Sequence, residues 1–289
     1  MKYVFIVNPT AGGGRALKIS NNIREICEKD KLDYEIIYTN KKGEATKIAK
    51  KLKGKNIVYA VGGDGTLNEV VNGIMGSKNI LGLIPAGSGN DFYRSLEKMD
   101  DPMPLVDVGE VNGKYFINVV SIGIDAEIGD NAHIMKKMKI PRTQIYNASI
   151  VYTFFKYKFK DIDFEIDNTV GKEKCTILTV CNGEMYGGGY KIAPEASLSD
   201  GYFDVYFIKK ISKLSIPGLI GKLKIGTHGS DKSVRKLKAN KIKFKCDNEL
   251  ICGYDGETLI DKKFKIKMHE KALLVHNDKK FVKRVMRGF

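Results

Sequence analysis

The chain has 289 residues and carries 49 Lys plus Arg against 34 Asp plus Glu, a formal net charge of +15. With 43% hydrophobic residues it is long enough to bury two cores. No apolar run reaches the length of a membrane span, no secretory signal precedes Tyr3, and the five cysteines contain no Cys-x-x-Cys pair. A membrane-spanning or disulfide-built protein is therefore not expected, and reduced thiols in the cytoplasm are. The four histidines fall in no metal-ligand spacing. A surface this basic attracts polyanions: nucleic acid, an anionic bilayer face or phosphorylated small molecules. No zinc finger, helix-turn-helix or RNP-like segment accompanies the charge, so nucleic acid is not the expected partner. The tail from Lys279 to Phe289 mixes cations with apolar residues, as interfacial segments do, and a solvated basic terminus is its plainer reading.

Tyr3 to Val7 is an apolar run suited to a strand buried on both faces. Asn8-Pro9 and Gly12-Gly13-Gly14 interrupt it, and Ala16, Ile19, Ile23 and Ile26 then recur at helical spacing. Arg15 stands where the helix begins. A second strand, Tyr34 to Tyr38, ends at Thr39, and a helix follows with Ala45, Ile48, Ala49 and Leu52 on one face. Asn56 to Val61 runs into Gly62-Gly63-Asp64-Gly65-Thr66-Leu67-Asn68, after which apolar residues return at Val70, Val71 and Ile74. Adjacent glycines let a ligand approach the backbone, and the helix that follows turns free N–H groups toward the loop, an arrangement suited to anions. An aspartate in such a loop repels phosphate unless a divalent cation or a proton lies between them, so Asp64 points to chemistry. Ile80 to Ile84 leads into a third such loop, Gly87-Ser88-Gly89-Asn90-Asp91-Phe92.

In a parallel sheet the carboxyl ends of the strands share one edge, so three loops carrying Arg15, Asp64, Asn90 and Asp91 converge on one crevice and favour a nucleotide with its phosphates. Each loop alone is equally compatible with plain turn geometry. Neither the Gly-Lys-Ser/Thr ending of a P-loop nor the full dinucleotide fingerprint is present.

From Tyr115 the pattern changes to alternation. Asp161 to Ile166, Cys175 to Cys181, Phe203 to Ile208, Lys241 to Cys246, Phe264 to Met268 and Ala272 to Val275 read as antiparallel strands of a sandwich. Two Asp-Gly pairs, Asp200-Gly201 and Asp255-Gly256, are hairpin signals, and the second is followed by Glu257. Asp125 sits in an apolar run. The cation-rich stretch from His133 to Lys160 holds Tyr152, Phe154, Phe155, Tyr157 and Phe159, a surface for a bilayer or a pair of packed helices with snorkelling lysines.

Asn8-Pro9 with Gly12-Gly13-Gly14, Gly62-Gly63-Asp64-Gly65-Thr66, Gly87-Ser88-Gly89-Asn90-Asp91-Phe92 and Asp255-Gly256-Glu257 together resemble the bacterial diacylglycerol kinase and sphingosine kinase-like lipid kinase family. Gly-Gly-Asp-Gly alone is shared with NAD kinases and phosphofructokinases. The resemblance implies a doubly wound α/β ATP-binding domain over residues 1–120 joined by the tail 278–289, an antiparallel β-sandwich over 121–277, and an active site between them. It implies ATP at Asn8, Gly12, Gly13, Gly14, Thr39, Gly62, Gly63, Asp64, Gly65, Thr66, Leu67, Asn68 and Ser88, with Glu257 as proton acceptor and Asp64 helping to place Mg²⁺ and the phosphates. It further implies a structural Mg²⁺ at Ser197, Asp200 and Tyr202, and a role for Asp125 in orienting the lipid headgroup or the metal's water shell. The implied substrate is a lipid, diacylglycerol first, met by peripheral association with an anionic membrane surface; a homodimer is compatible with all of this. One departure bears on the lipid: the third loop reads Gly-Ser-Gly-Asn-Asp where members of the family typically carry Gly-Thr-x-Asn-Asp. Two other readings stand beside it, a soluble-metabolite kinase of the NAD kinase type and a non-catalytic lipid- or nucleotide-binding regulator.

Overall fold

The computed structural model describes residues 1–135, 149, 152–153 and 156–289. Strands β1 (Tyr3–Val7), β2 (Tyr34–Tyr38), β3 (Ile57–Gly62) and β4 (Ile80–Pro85) form a parallel sheet in the order β2-β1-β3-β4. Every residue of β3 and β4 is buried, which is why their sequences read as unbroken apolar runs. Helix α1 (Arg15–Lys29) packs Ala16, Ile19 and Ile23 on one face of the sheet with Phe5 and Tyr59. Helices α2 (Glu44–Lys51) and α3 (Asp64–Ile74) cover the other face, where Leu67, Val70 and Val71 meet Val58 and Leu81. A short helix, α4 (Asp91–Leu96), follows the third glycine loop.

The second half is antiparallel: β5 (Leu105–Val111), β6 (Lys114–Phe116), β7 (Val119–Gly123), β8 (Lys160–Ile166), β9 (Thr169–Cys181), β10 (Phe203–Lys209), β11 (Val234–Ala239), β12 (Lys241–Tyr254) and β13 (Glu257–His276). They run in the order β11-β10-β9-β7-β12-β13, with β8 pairing β9 and β12 and with β5 pairing β13. Phe116, Phe164, Phe203, Phe207, Phe244 and Phe264 fill the space between. Helix α5 (Ile124–Met135) follows β7 directly.

Two segments differ from expectation. Phe264–Met268 and Ala272–Val275 belong to one long strand, β13; Lys271 adopts φ +47° and the register with β5 shifts between His269 and Leu273, so the polar interruption is a bulge instead of a turn. The end of β13 leaves the sandwich and pairs in parallel with β4, Val275 opposite Leu81 and His276 opposite Gly82, making one strand common to both sheets. The basic tail forms a helix, Lys279–Val285, that buries Phe281 and Val285 against Phe5 and Tyr59 while Arg284 pairs with Asp30 at 2.6 Å. Its apolar residues face the core and not an interface. Of the aromatic stretch, Phe154 and Phe155 lie outside the described residues, Tyr152 is exposed beneath Lys156 and Tyr157 is buried. No helix among the described residues is long and apolar enough to cross a membrane.

Candidate active site

The carboxyl ends of β1, β3 and β4 open into a cavity of about 1210 Å³ whose other wall is the sandwich. The first loop enters through Asn8, Pro9 and Gly12, the second through Gly63 to Leu67, the third through Ser88, Gly89 and Asp91, and Thr39 at the end of β2 completes this side. The loops are built onto one another. Asn8 N–H donates to Val61 O at 3.0 Å and its amide to Thr66 Oγ1 at 3.3 Å, while Thr39 N–H donates to Val7 O at 2.9 Å. Gly12 has φ +60°, and a Cβ there would lie 2.2 Å from Ala86 O, so only glycine lets the first loop rest on the third. Helix α3 starts at the cavity wall with no side-chain cap, leaving its first N–H groups for an anion.

Three residues expected at the phosphates hold the loops to one another. Arg15 Nη2 donates to Gly87 O at 2.8 Å and Pro85 O at 3.3 Å, so its guanidinium holds the third loop from behind. Asn90 Oδ1 accepts from Gly87 N–H at 3.0 Å. The Asp64 carboxylate accepts from Asn90 N–H at 2.8 Å and Asp91 N–H at 2.9 Å, binding the second loop to the third; burial raises its pKa against those bonds. Gly13, Gly14, Arg15, Gly62, Asn68 and Asn90 support the wall without lining it.

Across the cavity, Asp255 (φ +43°) and Gly256 (φ +85°) form the tight turn between β12 and β13, with Tyr254 opposite Glu257. The Asp255 carboxylate is buried and accepts from Ile117 N–H at 2.7 Å, from Asn118 and Val119 N–H at 3.0 Å, and from the Asn68 amide at 3.2 Å. Burial lifts its pKa to about 6 despite these donors. Asp255 thus fixes the turn, and Glu257 beside it lines the cavity. Glu257 Oε2 stands 2.7 Å from Lys42 Nζ, a cation on the loop before α2 that the sequence reading did not single out.

Asp91 and Asp125 also line the cavity. Asp91 Oδ2 accepts from Gly188 N–H at 2.8 Å and Asp125 Oδ2 from Tyr186 OH at 3.2 Å. In each, Oδ1 is shielded from solvent without a hydrogen-bond partner among the described residues. Burial pushes the Asp125 carboxyl up to about 6. Each orphaned carboxylate oxygen is of the kind that a hard divalent cation takes as a ligand. The glycine turn Gly187–Gly189 that brings Tyr186 and Gly188 here was legible only as a run of three glycines.

The turn at Asp200 lies elsewhere. Asp200 Oδ1 accepts from Tyr202 N–H at 3.1 Å, Oδ2 meets Lys238 Nζ at 2.5 Å, and Ser197 Oγ accepts from Ser199 N–H at 3.4 Å. Ser197, Asp200 and Tyr202 are near in sequence and outside the cavity. Asp200 is paired with the Lys238 ammonium, which a cation at this turn would have to displace. No cluster of three or more His, Cys, Asp or Glu gathers among the described residues.

Residues 2–112 match the model of the diacylglycerol kinase catalytic domain, and residues 118–276 match the YegS C-terminal NAD kinase beta sandwich-like domain. A diacylglycerol kinase of Staphylococcus aureus (strain MRSA252) is 30% identical over 267 residues, covering 87% of this chain and 84% of the relative. The chain belongs to the diacylglycerol kinase catalytic-domain family. The family's diacylglycerol kinase of Bacillus subtilis (strain 168) is 29% identical over 269 residues, 87% of this chain and 88% of that one. A crystal structure of a candidate diacylglycerol kinase from Bacillus anthracis str. Sterne matches at 25% identity with a TM-score of 0.75 over 96% of each chain. A kinase family implies a nucleoside triphosphate as phosphate donor, in keeping with loops that present backbone N–H groups to the cavity.

Proposed function

We propose that this protein is an ATP- and Mg²⁺-dependent lipid kinase that transfers the γ-phosphate to the free hydroxyl of diacylglycerol, giving phosphatidic acid. In this reading residues 1–120 with 278–289 hold the nucleotide and 121–277 the lipid. The observation that carries it is Glu257, presented across the cavity from three glycine-rich loops by a turn that the buried Asp255 carboxylate anchors, and paired with Lys42 at 2.7 Å. The hydroxyl proton passes to the Glu257 carboxylate, the oxygen attacks the γ-phosphorus, and the β–γ bridging oxygen leaves with ADP. Lys42, released from Glu257 when nucleotide enters, gives its charge to the phosphates, taking the part expected of Arg15. The α3 N–H groups, Ser88 and the first-loop backbone bind the phosphates, and Asp64 keeps two loops in register. Asp91 and Asp125 would hold Mg²⁺ through their unpartnered oxygens; bound Mg²⁺ offsets charge on the transferring phosphoryl group. Transfer of labelled γ-phosphate into a lipid panel, with NAD as a soluble comparison, tests the reading.

A further inference from the structure

We infer that the outer face of the β12–β13 hairpin is a docking surface for an anionic bilayer. In the hairpin register Lys241 stands opposite Lys267, Lys243 opposite Lys265 and Lys245 opposite Lys263. The alternate residues Ile242, Phe244, Phe264 and Ile266 are buried in the sandwich, so six ammonium groups share one exposed face of two adjacent strands. Like charges directly opposite one another destabilise a strand pair. The neighbouring β8–β9 pair shows the cheaper arrangement, with Asp163 on Lys172 and Asp161 on Lys174. On the hairpin, Glu165 neutralises Lys243 at 2.8 Å and Glu110 neutralises Lys267 at 3.0 Å. Lys241, Lys245, Lys263 and Lys265 have no ion-pair partner among the described residues.

The ladder has a direction. Toward the cavity the register shifts between Lys245 and Leu250, where the exposed Asp247, Glu249, Asp261 and Lys262 lie; beyond it Ile251 pairs with Ile260, the latter 60% exposed, and Gly253 with Thr258, both of which line the cavity. Lys263 lies five residues beyond Thr258, about 17 Å along the strand. Cavity, apolar pair and lysine rows therefore follow one another along one hairpin, with the acidic residues of the register shift between the last two. An extended plane of negative charge with an apolar interior complements the lysine rows and the exposed Ile260. The face offers no aromatic side chain for stacking bases, which disfavours single-stranded nucleic acid. The choice of a bilayer rests on the lipid-kinase reading; the face itself does not.

The test uses the full chain and the variant K241Q/K245Q/K263Q/K265Q, whose four positions do not line the cavity. Sedimentation with phosphatidylcholine vesicles containing one-third phosphatidylglycerol is expected to give at least a roughly 10-fold weaker affinity for the variant, because each surface lysine contributes a several-fold factor. Its melting temperature is expected to match or exceed that of the parent, since like-charge pairs have been removed. Vesicle binding equal to the parent's overturns the proposal, as does loss of binding to DNA or an acidic protein with vesicle binding unchanged. If no lipid is phosphorylated by the parent while the variant still loses vesicle affinity, the kinase reading fails and the docking face stands.

Discussion

The Asn68 amide donates to Asp255 Oδ2 at 3.2 Å, joining the helix after the central glycine loop to the hairpin turn that presents Glu257. The same amide reaches Tyr115 O at 3.0 Å, so one side chain on α3 holds the sandwich in place over the nucleotide side. Asn68→Ala leaves a buried carboxylate with one donor fewer, a loss of about 1–3 kcal/mol. Urea denaturation is expected to show that loss, and transfer activity to fall more steeply than nucleotide affinity, since the turn that carries Glu257 shifts while the glycine loops stay.

Asp255 also makes stability depend on pH. Its folded pKa, about 6, lies above that of an unfolded aspartate, about 3.9, so between those values the folded state binds more protons. Stability therefore falls as pH rises through this window, by roughly 1–3 kcal/mol in total. Denaturation at pH 4.5 and 6.5 checks the slope, and Asp255→Asn, whatever its overall stability, is expected to flatten it.

Gly12 fixes the spacing of the first and third loops. Gly12→Ala places a Cβ against Ala86 O at a left-handed backbone position. Nucleotide affinity measured by calorimetry is expected to fall about 10-fold or more, because the loops must separate where phosphates bind. Arg15→Ala, which removes the support behind Gly87, is expected to act in the same direction.

The orphaned oxygens of Asp91 and Asp125 predict a metal response separate from turnover. Mg²⁺ is expected to raise the melting temperature of the parent and to raise that of Asp125→Asn by less than half as much, read by differential scanning fluorimetry without nucleotide.

The strand-loop-helix units were legible because β1, β3 and β4 are almost wholly buried apolar runs that lead into glycine-rich loops. Asp255-Gly256 was legible as a hairpin because both residues take positive φ in a two-residue connection. Asp200-Gly201 carries the same dipeptide, yet it ends the long connection from Cys181 to Phe203, where Asp107 accepts from Gly201 N–H at 2.7 Å. Local sequence does not distinguish the two; the distant acceptor does. Arg15 illustrates the same limit: its position beside a glycine loop suggested phosphate, and only the fold brings Pro85 and Gly87 carbonyls to its guanidinium. Lys42 was hidden because its partner Glu257 is more than two hundred residues away in the chain. The continuity of β13 through two sheets was hidden by the charged bulge at Lys271.

Labelled γ-phosphate transfer to diacylglycerol in mixed micelles with Mg²⁺, measured in the parent and in Glu257→Gln, decides whether Glu257 takes the proton of a lipid hydroxyl. Transfer by the parent is expected, with a drop of roughly 10²-fold in the variant and nucleotide affinity kept. Parent-level transfer by Glu257→Gln, or transfer to NAD with none to any lipid, would contradict it.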